Sequence, residues 1–311
     1  MNILITGGAG FIGSHVAKRL AKAGHDVAVY DNLSGRGIAG KHGAFPGALR
    51  ECTFIDGDIR DTANLERAMK GQDVVIHLAA IISVPFTIAH PAETEAVNAA
   101  GSENVVRVAQ RLKLQKIILA SSAAVYGLAP KVPTAESEPT QPLSPYATTK
   151  VAMERAAEKA RKESIATITL RFFNVYGPGQ DPSSQYAAAI PAFITKALKN
   201  ETLTIHGDGL QTRDFIFVED VAAACELALT RGEGIYNIAS GKSGTINDLA
   251  AAVIKLAGSR SAIVHDAPRQ GDPRHSEADI TKAKRDLGFH PTVALEQGLR
   301  ETIESFKRPT R

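Results

Sequence analysis

Short β-branched runs recur through the first half of the chain: Asn2 to Thr6, Asp26 to Tyr30, Asp73 to His77, Lys116 to Ala120 and Thr167 to Arg171. Between them lie longer segments whose apolar side chains return at helical spacing, Phe11 to Ala23, Leu65 to Lys70, Ala92 to Leu112 and Tyr146 to Lys162. Strands alternating with helices predict an α/β fold, a doubly wound parallel sheet with right-handed crossovers. Beyond about Arg171 the rhythm loosens around Gly177-Pro178-Gly179, Asp181-Pro182 and Gly207-Asp208-Gly209, the texture of a smaller, loop-rich α/β lobe. Thr245-Ile246-Asn247-Asp248 has capping-box spacing with Asp in the usual Glu position, so a helix is expected from Ile246 to Leu256, before Gly258. The expected division is residues 1–170 for the sheet domain and 171–311 for the lobe, with a strand and a helix free to exchange between them.

Composition narrows the partners. The 311 residues hold 36 Lys plus Arg against 33 Asp plus Glu, a net charge of +3, and 44% are hydrophobic. That balance excludes a disordered chain and gives no basic footprint for nucleic acid. No stretch approaches the ~18 apolar residues that span a bilayer, so neither a membrane segment nor a signal peptide is expected. Cys52 and Cys225 are far apart and fit no disulfide or zinc spacing, which points to a reducing cytoplasm and to two small buried hydrophobes. The histidines are scattered singly, and no metal site is expected.

The first strand runs into Thr6-Gly7-Gly8-Ala9-Gly10-Phe11-Ile12-Gly13. Gly7 can make the tight turn, Gly10 lets a pyrophosphate approach the helix N-terminus, and Gly13 lets helix and strand pack closely. Asp31 follows the second strand, where a carboxylate accepts hydrogen bonds from an adenosine ribose and favours NAD over NADP; Arg36 nearby argues the other way. Asp58-Ile59 and Leu78-Ala79-Ala80 sit at the carboxyl ends of later strands, where open parallel sheets bind ligands.

The strand Lys116 to Ala120 leads into Ser121-Ser122, and a helix opens with Tyr146 and Lys150 on one face. An ammonium group and a cationic nicotinamide both favour the phenolate, which makes Tyr146 a candidate general base, with Ser122 hydrogen-bonding the same substrate hydroxyl. His77 reads as a satisfied histidine at a strand end.

Together with Asp31-Asn32-Leu33-Ser34, Arg171-Phe172-Phe173-Asn174-Val175-Tyr176-Gly177, Arg213-Asp214-Phe215 and Arg269-Gln270-Gly271-Asp272, these segments resemble the extended short-chain dehydrogenase/reductase family from Met1 to about Pro291, and within it the UDP-hexose 4-epimerases. The resemblance implies a Rossmann fold and a tightly bound NAD touching Gly7, Gly10, Phe11, Ile12, Gly13, Asp31, Asn32, Asp58, Ile59, Leu78, Ala79, Ala80, Tyr146, Lys150 and Phe173. It makes Ser122, Tyr146 and Lys150 catalytic, and assigns the UDP-sugar to Ser83, Ser122, Tyr146, Asn174, Arg213, Phe215, Arg269, Asp272 and Ser276, with the two arginines gripping the diphosphate.

Related 4,6-dehydratases carry an Asp-Glu pair where this chain has Ala123-Ala124, and decarboxylating relatives usually have Glu at the second position. Gly179 and Asp181 give a uronate no positive partner, so a neutral hexose is expected. Small Ser276 leaves room for an N-acetyl group unless Arg274 or His275 refills it. Family members pair two long helices into a homodimer; Val97, Val105, Val108, Ala109 and Leu112 either supply that stripe or cover their own sheet. Two rival functions stay open, a net oxidoreductase acting on a sugar nucleotide and a non-catalytic nucleotide-binding regulator.

Overall fold

The computed structural model describes residues 1–34, 49–129, 131–163, 165–181, 189–268 and 272–307. In chain order, the first half comprises β1 (Asn2–Thr6), α1 (Phe11–Lys22), β2 (Asp26–Asp31), β3 (Thr53–Asp56), α2 (Thr62–Met69), β4 (Val74–His77), α3 (Val84–Ala89), α4 (Pro91–Thr94), α5 (Gly101–Arg111), β5 (Lys116–Ser122), α6 (Pro145–Glu163) and β6 (Ala166–Phe172). The second comprises β7 (Asn174–Tyr176), α7 (Ala189–Leu198), β8 (Leu203–His206), β9 (Thr212–Phe217), α8 (Val218–Thr230), β10 (Gly234–Ile238), β11 (Ser243–Thr245), α9 (Ile246–Ala257), β12 (Ile263–Asp266), α10 (Thr281–Leu287) and α11 (Leu295–Lys307).

Seven parallel strands form the main sheet in the order β10-β6-β5-β4-β1-β2-β3. Both faces are buried, and the pleat divides the strands between them. Ile3 and Ile5 meet α1 and α8, while Leu4 turns to the side of α2, α5 and α6. β10 and α8 belong to this sheet layer although they come late in the chain. β7, β9 and β11 form a second sheet, β8 and β12 a third, and α7, α9 and α11 close a separate core around Ile194, Val253 and Leu299. Among the described residues no helix is long and apolar enough to cross a membrane.

Local signals explain several boundaries. Asp61 caps α2 by accepting from Ala63 and Asn64 amides at 3.1 and 3.0 Å, so the helix starts before the apolar run at Leu65. Thr245 accepts from the Asp248 amide at 3.0 Å and Gly258 ends α9 in the left-handed conformation, as the capping box implies.

The segment expected as one helix from Ala92 to Leu112 is instead interrupted by a π-helical turn over Glu95–Ala100. The turn carries Asn98 inward, where its side chain accepts from the Ile81 amide at 2.7 Å and donates to the Ile81 carbonyl at 2.8 Å. The apolar stripe resolves in favour of the chain's own sheet: Val105, Val108 and Ala109 are fully buried in it, with Val97 and Leu112 packed against the same core. Cys225 is buried in α8 and Cys52 half-buried, both as free thiols.

Candidate active site

β1 has β2 on one side and β4 on the other, so the glycine loop leaves the sheet at its topological switch point. Gly7 takes φ +71°, and a Cβ there would lie 2.6 Å from the Ala79 nitrogen; a Cβ on Gly13 would lie 2.2 Å from the Gly7 carbonyl oxygen. The loop, the strand end after β4 and the first turn of α1 are therefore in backbone contact. Gly10 gives α1 no side-chain cap and the first turn holds no acid, which leaves its N-terminal amides and dipole available to an anion. Asp31 is fixed through both oxygens, accepting from the Ala9 amide at 3.0 Å and the Leu33 amide at 2.9 Å. Burial raises its pKa, and its remaining lone pairs can accept two hydroxyls.

Asn32 donates to Asp58 at 3.0 Å, and the Arg60 fork holds the same carboxyl down to a pKa of about 2. Ile59 packs against Gly101. A cradle of glycines, an uncapped helix start and an oriented acid at the second strand fits a dinucleotide. Arg36 and Arg269 lie outside the described residues.

Tyr146 and Lys150 occupy successive turns of α6, facing the end of β5. Lys150 Nζ donates to the Ala120 carbonyl at 2.7 Å and stands 5.8 Å from the centre of the Tyr146 ring. Burial raises the Tyr146 pKa, while hydrogen bonding with the Ser122 hydroxyl pulls it down. Burial lowers Lys150 to about 8, opposed by Glu154. His77, fully enclosed, meets Thr6 Oγ1 at 2.7 Å and Ser102 Oγ at 2.8 Å; burial, then the Lys150 charge, push it down to about 3. It is a neutral, satisfied side chain.

One turn beyond Lys150, Glu154 accepts from Ser121 Oγ at 2.5 Å and from Arg171 at 2.9 and 2.7 Å. Ser121, Arg171 and Asn237 are register partners across β5, β6 and β10. Arg171 also covers the Tyr126 ring, 4.7 Å from its centre, and Tyr126 donates to Asn237 at 2.7 Å. A buried polar row thus underlies the Tyr146 face of the sheet.

On the lobe, β7 pairs Asn174 with Phe215 of β9, and the Asn174 amide donates to the Asp214 carbonyl at 2.8 Å. Phe215 meets Tyr176 edge to face. Arg213 is almost buried and ion-paired with Asp272. Ser276 donates its amide to the Thr212 carbonyl, Arg274 forks onto Asp208 at 2.6 and 2.9 Å, and His275 contacts the Thr212 hydroxyl beside Ser276. Thr212, Arg274 and His275 line an open cleft of about 620 Å³ with Leu128 and Val132. Ser83 caps α3 through the Phe86 amide, and the Phe173 ring is buried against Tyr126.

Sequence reasoning missed Asn98, Glu154 and Asp214. The Asp214 carboxylate accepts from Ser240, Gly241 and Ala278 amides, tying three lobe segments together. For Glu154 a signal existed: it repeats the Tyr146 to Lys150 spacing once more.

A family model described as the NAD dependent epimerase/dehydratase family matches residues 3–239. The UDP-glucose 4-epimerase of Thermotoga maritima, solved with UDP-glucose, is similar at a TM-score of 0.92 and 38% identity, with 99% of each chain covered. The UDP-N-acetylglucosamine 4-epimerase of Methanobrevibacter ruminantium M1, in complex with UDP-N-acetylmuramic acid, gives 0.92 and 38% over 98% of each chain. A UDP-N-acetyl-alpha-D-glucosaminuronate decarboxylase of Bacillus cytotoxicus is 36% identical over 98% of this chain and 97% of its own length.

Proposed function

The chain belongs to the NAD-dependent epimerase/dehydratase family, and from that premise we propose that it is a UDP-hexose 4-epimerase acting on neutral sugars, N-acetylated ones included. The observation that carries this reading is the combination of Ser122, Tyr146 and Lys150 with Ala123 and Ala124, which bring no second acid or base to the strand end. Elimination or decarboxylation would each need one there. General catalysis of a proton transfer is worth ~10²- to 10⁴-fold, so its absence leaves removal and return of the C4 hydroxyl proton as the favoured chemistry.

NAD, when bound, supplies the acceptor and later the donor of the C4 hydride. The chain's part is proton transfer and positioning. Tyr146 takes the proton of the C4 hydroxyl and gives it back after the 4-keto sugar has turned, Ser122 holds the same oxygen, and Lys150 stabilises the phenolate electrostatically. Asp31 receives the adenosine ribose and the N-terminus of α1 the pyrophosphate. Arg213 with Asp272, together with Arg269, holds the UDP, and Ser276 leaves space at the sugar C2. The active form is a homodimer joined through the outward faces of α4, α5 and α6, which light scattering would test.

Purified protein given UDP-galactose or UDP-GalNAc without added NAD should form the C4 epimer with no net change in NADH absorbance. Steady consumption of added NAD or NADH would favour the oxidoreductase instead. Carbon dioxide release from a UDP-uronate, with no epimerisation, would favour the decarboxylase, the reading that the Bacillus cytotoxicus relative supports.

A further inference from the structure

We infer that His15, as an imidazolium, is a positioning residue that ties α1 to both chain segments leaving the strands of Asn174 and Phe215. What this does to turnover rests on the proposed function; the bridge itself does not.

β7 and β9 run parallel, Asn174 beside Phe215 and Tyr176 beside Phe217, so their chains leave the second sheet at the same end. One continues as Gly177-Pro178-Gly179 and the other turns straight into α8. A Cβ on Gly177 would lie 2.5 Å from Val218 Cγ1, so the two exits pack closely. His15, one turn along α1 from Phe11, meets both of them. Its Nδ1 lies 2.7 Å from Glu219 Oε1 in the first turn of α8, and its Nε2 lies 2.8 Å from the Pro178 carbonyl oxygen. The Phe11 ring stands edge-on to the imidazole, 5.9 Å away.

A carboxylate and a carbonyl can only accept, so both ring nitrogens must donate, and only the imidazolium has two N–H groups. Neutral imidazole keeps one. That N–H goes to Glu219, because a bond to an ionised acceptor is the stronger, and the Pro178 carbonyl is left facing a ring lone pair. The charged groups around the pair are Glu219 from α8, and Lys18 and Arg19 from α1, which act on that carboxylate; Arg19 is itself paired with Glu226 at 2.5 Å, and Asp181 is the charge that follows the loop. Above all, the bond from His15 holds Glu219 below the ordinary carboxylate range. Losing the Pro178 contact frees the exit of β7, the strand of Asn174, from the helix proposed to hold the pyrophosphate. Substrate strand and cofactor helix are therefore held together most firmly while His15 is protonated.

The test is a ¹H–¹⁵N NMR titration of the full-length protein from pH 5.5 to 9, with the His15 ring signals identified by their loss in His15→Gln and the Gly179 amide followed in parallel. Both ring nitrogens should carry protons at the acid end and one at the alkaline end, and the Gly179 amide should shift at the same midpoint. Glu219→Gln, which keeps an acceptor but removes its charge, should lower that midpoint and carry Gly179 with it. Should His15→Gln fail to fold, the shift in Glu219→Gln identifies the ring. KM for UDP-galactose should rise roughly 2- to 10-fold through the wild-type midpoint, the effect of one hydrogen bond, with kcat moving less, and the step should be missing in His15→Gln. A ring fixed in one protonation state over this range, a Gly179 amide indifferent to it, or a KM profile that His15→Gln shares would overturn the inference. If no UDP-hexose is turned over while ring and Gly179 titrate together, the proposed function fails and the bridge stands.

Discussion

Gly7 and Ala79 touch backbone to backbone, so that a methyl group on Gly7 would come within 2.6 Å of the Ala79 nitrogen. The contact closes the gap between the ends of β1 and β4, beneath the site proposed for the dinucleotide. Gly7→Ala must both displace the Ala79 strand end and hold φ +71°, a left-handed backbone that alone costs about 1–2 kcal/mol for a residue with a Cβ. The variant should purify with little NAD and melt several degrees lower. Full NAD content by absorbance after denaturation would refute the fit.

Tyr146→Phe keeps the ring and its packing but loses the phenolic oxygen. Turnover of UDP-galactose should fall ~10²- to 10⁴-fold with NAD still bound. Near-normal kcat would mean that another group moves the C4 proton.

Arg213→Ala leaves Asp272 without its cation and removes one fork from the site proposed for the diphosphate. A hydrogen bond to a charged group contributes about 1.5–3 kcal/mol, so KM for the UDP-sugar should rise roughly 10- to 100-fold while NAD content and kcat change much less. An unchanged KM would place the diphosphate elsewhere.

Ser276→Tyr fills the space proposed for the sugar C2 substituent. Activity with UDP-GalNAc should disappear and that with UDP-galactose remain; equal losses on both substrates would show that the position does not discriminate them.

His77 imposes a pH dependence on stability. Its folded pKa of about 3 lies below the ordinary 6.5, so between these values the unfolded chain binds the proton and the folded chain does not. Stability is complete above pH 6.5 and falls as pH drops toward 3, by an amount on the order of a few kcal/mol. Asp31 and Asp214, whose pKa values are raised by burial, act in the opposite sense at the acid end. Melting curves at pH 8 and pH 5 should separate more for wild type than for His77→Asn; equal separations would assign the acid sensitivity to other groups.

The parallel sheet and the glycine loop after its first strand were legible because they depend on local signals, whereas β3 (Thr53–Asp56) was not among the runs picked out. β-branched runs mark the strands, and the glycines stand where the backbone needs room. The capping box at Thr245 was equally direct. Asn98 was not legible, since its effect is to insert a π turn into a segment whose apolar spacing reads as one helix. The stripe Val105, Val108 and Ala109 could be read either way, because an apolar helix face has the same pattern whether it covers its own sheet or a partner. Asp214 escaped notice because its three partners come from distant segments that only tertiary packing brings together.

β10 has a consequence for how the chain is made. It completes the main sheet by pairing with β6, whose residues are almost all buried, yet it is synthesised after β7, β8 and β9. Until Gly234–Ile238 leaves the ribosome, β6 is a bare apolar edge open to intermolecular pairing. A nascent chain halted near residue 170 therefore exposes an aggregation-prone strand, and the seven-stranded sheet is completed only when Gly234–Ile238 has been translated.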